Sequence, residues 1–97
     1  MVKSVKRVRI RFTKAKWPSK AFAEIMNAVA EQFPDSEVLL VRAGQSIPIL
    51  DINVYVEDLS DNQLKELEKR ILNILTDHDI SHVIYKKMKV FDVEEES

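Results

Sequence analysis

Both histidines of the chain fall in one short run, Asp77-His78-Asp79-Ile80-Ser81-His82, beside two carboxylates. Imidazole nitrogens and carboxylate oxygens are the donors that zinc and other divalent ions take. A polar helix end accounts for the same residues, and the helix dipole favours His78 there. His78 and His82 are thus weak metal candidates, and no metal site is assigned. A second group is Arg7, Arg9 and Arg11, set at alternate positions around Val8 and Ile10. Guanidinium groups repeated on one face suit carboxylates or phosphates.

Little else could do chemistry. The chain has no cysteine, which excludes disulfides, thiolate catalysis and cysteine-ligated zinc or iron–sulfur centres. A single glycine excludes glycine-rich phosphate loops. Each serine occupies a cap, turn or strand without a visible base. Asp51 and Glu57 could form an acid/base pair, but ion pairing explains them as well. No catalytic residue and no cofactor are assigned, and a non-enzymatic role is expected.

The elements that must position these groups follow from periodicity. Val2–Phe12 reads as a strand in which Val8, Ile10 and Phe12 face one way and the three arginines the other. Pro18 or Ser19 opens a helix with an apolar stripe of Phe22, Ile25, Met26, Val29 and Phe33. Pro34-Asp35-Ser36 ends it. Glu37–Arg42 is a short apolar strand, and Ala43-Gly44-Gln45-Ser46 is a reversal. Leu50, Ile52, Val54 and Val56 alternate with Asp51, Asn53, Tyr55 and Glu57 in a third strand. Ser60 and Gln63 form a capping box, stapled by Leu59 and Leu64. Leu64, Leu67, Ile71, Ile74 and Leu75 are the buried stripe of the second helix. Glu66 pairs with Lys69 and Arg70 on its wet side. Ser81–Phe91 is the fourth strand.

The order β-α-β-β-α-β with right-handed crossovers implies a ferredoxin-like α+β sandwich. Two helices cover one face of a four-stranded antiparallel sheet ordered 4-1-3-2, and the other face is open. Residues 1–91 read as one domain and 92–97 as a flexible acidic tail. At 97 residues, 45% hydrophobic, the chain can bury one core without metal or disulfide support. No apolar run approaches the ~20 residues of a membrane span. The first residues do not resemble a signal peptide, so a cytoplasmic protein without membrane contact is expected.

Net charge is −1, but residues 1–20 hold eight lysines and arginines and no acid, whereas residues 92–97 hold four acids and no base. The chain is polarised rather than uniformly basic. On the open face Arg7, Arg9 and Arg11 should meet Asp51, Asn53, Tyr55 and Glu57. The register of the fourth strand is ambiguous. With Ile84, Met88 and Val90 in the core, Val83, Tyr85, Lys87, Lys89 and Phe91 join the open face. Cross-strand ion pairs alone explain part of this surface. Cations interleaved with rings also suit single-stranded RNA. The paired-aromatic signature of RNA-recognition domains is absent from Leu50–Glu57, and Asp51 and Glu57 repel phosphate. An open face or edge strand equally suits a homodimer.

Two strands around a glycine turn, then Asp51-x-Asn53-Val54-x-Val56-x-Asp58-Leu59-Ser60 leading into a helix, resemble the cytoplasmic domain of cation diffusion facilitator transporters. No metal-ligand motif and no membrane domain accompany the likeness. It implies only that stand-alone domains of this shape dimerise. The expectation is therefore an assembly or protein–protein interaction module with self-association as its partnership. RNA or single-stranded nucleic-acid binding through the basic first strand is the alternative, and a divalent-metal-responsive regulatory domain is the second. Arg7, Arg9, Arg11, Tyr55, Tyr85, Lys87 and Lys89 are the candidate contact residues.

Overall fold

Four strands that alternate apolar and polar residues need one covered face, and two amphipathic helices supply the cover. The computed structural model describes residues 4–44 and 46–93. Its elements are β1 Val5–Phe12, α1 Ser19–Gln32, β2 Glu37–Ala43, β3 Ile49–Glu57, α2 Asp61–Asp77 and β4 Tyr85–Val93. The sheet order is β2-β3-β1-β4, and every neighbouring pair is antiparallel. This is the ferredoxin-like sandwich expected from the element order. Val2 and Lys3, expected at the start of β1, and Gln45 of the reversal lie outside the described residues.

The core lies between the helices and the even-numbered residues of β1 and β3. Val8, Ile10 and Phe12 pack with Leu50, Ile52, Val54 and Val56. From the helices come Ile25, Ala28, Val29, Leu67, Ile71 and Leu75, all buried. Full burial of a valine, leucine, isoleucine or phenylalanine side chain contributes about 1.5–3 kcal/mol. Phe22, Met26, Leu64 and Ile74 close the flanks. Trp17 meets Phe12 edge-on at 4.9 Å and donates its indole N–H to the Lys14 carbonyl at 2.9 Å. That seals one end of the sandwich.

The local signals act unequally. At the start of α2 the Ser60 hydroxyl accepts from the Gln63 N–H and the Gln63 side chain accepts from the Ser60 N–H, a complete capping box. Pro18 takes the N-cap position of α1 and Ser19 the first helical residue, with no side-chain cap. Arg70 does not pair within its own helix; it reaches Glu31 of α1 at 2.7 Å. The inter-helix pair takes the place of the expected one with Glu66. Gly44 has φ +104°, and a Cβ there would stand 1.9 Å from the Ile47 carbonyl oxygen. Only glycine fits that turn.

The fourth strand departs most from expectation. Its predicted beginning is a single 3-10 turn over His82–Ile84, started by Ser81, whose hydroxyl accepts from the Val83 N–H. β4 starts at Tyr85 and runs to Val93, two residues past the expected end. Asp92, expected in the loose tail, lies in that strand and pairs with Lys6 of β1. Residues 94–97 lie outside the described residues. Within β4 the pairing with β1 slips by one residue between Arg9 and Arg11: Arg9 faces Lys89, but Arg11 faces Lys86. The inserted residue is a β-bulge, with Lys87 and Met88 together spanning Ile10.

Candidate binding surface on the open sheet face

Odd-numbered residues of β1 and β3 point away from the helices, and the register sets them in rows. Arg7 faces Tyr55, Arg9 faces Asn53 and Arg11 faces Asp51. Glu57 faces Val5 at the sheet's end. On the β2 side the rows continue to Glu37, Leu39 and Val41, opposite Tyr55, Asn53 and Asp51. On the β4 side they continue to Phe91, Lys89 and Lys86, opposite Arg7, Arg9 and Arg11.

The middle of this uncovered face is nonetheless dry. Asp51 is 8% and Asn53 6% exposed, although no helix lies over them. The arginine side chains are their cover. Arg11 grips Asp51 with both ends of its guanidinium, Nε to Oδ1 at 2.8 Å and Nη2 to Oδ2 at 2.9 Å. Such a bidentate fork is the strongest form of this pair. The hydrogen bond to Asp51 raises the Arg11 pKa, desolvation opposes it, and Coulombic attraction adds to the rise. Arg7 donates to the Asn53 side-chain oxygen at 2.9 Å and lies over the Phe91 ring at 4.3 Å. Arg9 also leans on Phe91, at 5.4 Å. Its Nε is buried and has no acceptor among the described residues.

The candidate residues therefore divide. Arg7, Arg9, Arg11, Tyr55, Lys89 and Phe91 share the open face as expected. Tyr85 and Lys87 do not. Tyr85 faces Phe12 across the strands, tilts against its ring at 5.8 Å and donates its hydroxyl to Glu68 of α2 at 2.6 Å. Desolvation and then the bond to Glu68 push the Tyr85 pKa up. Lys87 lines a hollow on the helix side with Asp61, Leu64, Lys65 and Glu68. Strict alternation from Val83 misplaces both, because the 3-10 turn and the bulge each reset the parity of the strand. Val83 lies in that turn, outside β4. The residue missed is Lys86. Strict alternation puts Lys86 on the face of Met88, and nothing in the run Lys86-Lys87-Met88-Lys89 forbids that in an edge strand.

His78 and His82 also part company. His78 Nε2 contacts Glu24 of α1, and His82 Nε2 meets the Thr76 hydroxyl at 2.8 Å. Among the described residues no group of three or more metal-ligating side chains comes together. No helix of the described residues is long and apolar enough to cross a membrane.

The second feature of this surface is its β2 flank. Leu39 is 54%, Leu40 41% and Val41 39% exposed. Leu39 and Val41 look out from the open face, and Leu40 from the other. Of this strand only Val38 packs against the core, and one of its edges has no neighbour in the sheet.

No protein-family model matches the chain, and no curated protein matches it. Several solved structures are similar in shape. One is the de novo designed protein Foldit4, at 16% identity and a TM-score of 0.55, covering 98% of this chain and all of that one. Another is the hypothetical protein ORF119 from Sulfolobus islandicus rod-shaped virus 1, at 11% identity and a TM-score of 0.52. That likeness covers 96% of this chain and 70% of the viral one. At such identities what is shared is the fold: a four-stranded sheet with two helices on one side.

Proposed function

We propose that this protein is a non-enzymatic assembly module that joins a second copy of itself through β2. The observation that carries the reading is an edge strand of seven residues whose successive Leu39, Leu40 and Val41 are all exposed. An exposed apolar edge is a template for another strand. The strand is also self-complementary. A two-fold axis normal to the sheet keeps both open faces on the same side, so odd-numbered residues must face odd-numbered ones. Centring the axis on Leu40 overlaps the whole strand. Leu40 then meets the partner's Leu40, and Leu39 meets the partner's Val41 on the open face. Glu37 falls opposite the partner's Ala43 and Arg42 opposite the partner's Val38, so no like charges are opposed. The product is one continuous eight-stranded sheet.

The test is mass in solution. Light scattering should give twice the monomer mass for the wild type. Leu40→Lys sets two ammonium groups against each other on the axis and should weaken the dimer ~100-fold or more, from lost burial alone. Val90→Lys, on the opposite edge strand, should leave the mass unchanged. A wild type that stays monomeric at high concentration sinks the proposal.

A further inference from the structure

The β1–β4 strip of the open face carries charge that the fold does not use. Of its five cations, Arg7, Arg9, Arg11, Lys86 and Lys89, one is neutralised across the strands, Arg11 by Asp51. Arg7 bonds a neutral amide. Arg9, Lys86 and Lys89 have no ion pair among the described residues. Like charges face each other directly in two rows, Arg9 with Lys89 and Arg11 with Lys86. Asp51 eases the second row, but Arg9 and Lys89 are mutually repulsive, so an anion laid between them relieves a cost present in the unliganded fold. Phe91 props up the Arg9 guanidinium from one side, which limits the rotamers it must give up on binding.

We infer that this strip binds the backbone of single-stranded nucleic acid, with Arg9, Lys86 and Lys89 as its phosphate contacts. Three features favour that ligand over an acidic peptide. The cationic rows repeat along the strands at roughly 6.8 Å, two residues of ~3.4 Å rise, within the stretch one extended nucleotide spans. Flat groups stand in the next row, Tyr55 and the Arg7 guanidinium stacked on Phe91. Bases stack on both kinds of surface. Finally, Asp51, the carboxylate that would repel phosphate, is already held by both ends of Arg11. The surface is distinct from β2, so this inference stands or falls apart from self-assembly.

Fluorescence anisotropy with labelled twelve-nucleotide oligo(U) and oligo(dT) tests it. Binding should weaken with salt at a log–log slope of about −1.4, from two phosphates, one in each row, at ~0.7 each. Arg9→Gln/Lys86→Gln/Lys89→Gln should lower affinity at least tenfold and flatten the slope. Lys89→Gln and Lys87→Gln each remove one charge, from opposite sides of the sheet; the first should weaken binding and the second should change affinity less than twofold. Should the triple variant fail to fold, Lys89→Gln alone, at an exposed position, carries the same comparison. No binding of either oligonucleotide at low salt overturns the inference. An equal loss in Lys87→Gln also overturns it, because only net charge would then matter. A polyglutamate peptide that competes as well as oligo(U) reassigns the strip to an acidic protein partner and likewise overturns it.

Discussion

The two edges of this sheet are built to opposite rules. β4 carries Lys86, Lys87, Lys89 and Asp92 in nine residues, and a bulge breaks its regular pairing. Charged side chains and bulges are two of the devices by which natural sheets keep an edge from recruiting strangers. β2 has neither in its centre. Its charges, Glu37 and Arg42, stand near its ends, and its pairing with β3 runs without a slip from Glu37 to Ala43. Protection on one side shows what the other side lacks. A chain that defends β4 so fully and leaves Leu39, Leu40 and Val41 in the open is not indifferent to edges.

That contrast can be broken experimentally. The largest effect should come from making β4 resemble β2. Deleting Lys87 removes the bulge while leaving every other residue on its present face, and Lys86→Val with Lys89→Val removes the charge. Each subunit then has two adhesive edges, and alternating two-fold contacts do not close. Sedimentation should show open-ended growth instead of a discrete species; a variant of unchanged mass would mean that β4 is not protected by these features.

A smaller effect is expected where β2 turns into β3. Gly44→Ala forces a Cβ against the Ile47 carbonyl and should cost more than about 1 kcal/mol in urea unfolding. A loss below that would mean that the turn shifts readily, and with it the end of β2. The smallest concerns how β4 is anchored to α2. Tyr85→Phe removes the bond to Glu68 and should cost about 0.5–1.5 kcal/mol at neutral pH. Because the folded state raises the Tyr85 pKa, its contribution is complete below the ordinary tyrosine value of ~10 and falls as pH rises past it. The gap between wild type and Tyr85→Phe should therefore narrow from pH 9 to pH 11. A constant gap would mean that the hydroxyl titrates as it does in the unfolded chain.

Much of the sandwich was legible because its two central strands obey a period of two without exception. That Val8, Ile10 and Phe12 share the covered face with Leu50, Ile52 and Val54, and the three arginines the open one with Asp51, Asn53 and Tyr55, follows directly from that pattern; which arginine faces which partner needs the register, which sets Glu57 against Val5 instead. The helix stripes were legible for the same reason at a period of 3.6. β4 was not, because a bulge leaves no mark on side-chain character. Lys87 and Met88 lie on one side of the sheet although they are neighbours, and only the partner strand reveals it. The edge position of β2 was legible from the strand order, but how far its apolar side chains stand exposed was not, because Glu-Val-Leu-Leu-Val-Arg carries no local mark of which side chains the helices reach. Nor could composition show that the arginines bury Asp51 and Asn53, since that depends on side chains lying flat across a neighbouring strand.

The strand order has a further consequence, for the timing of folding. Of the described strands β1 leaves the ribosome first, yet both of its neighbours come later, β3 from mid-chain and β4 from the far end, where Val5 pairs with Val93. Contacts so distant in sequence form slowly, since the intervening chain must be closed into a loop first. Until β4 arrives, β1 has a bare edge of its own, and that edge is lined with three arginines whose mutual repulsion discourages two nascent chains from pairing there.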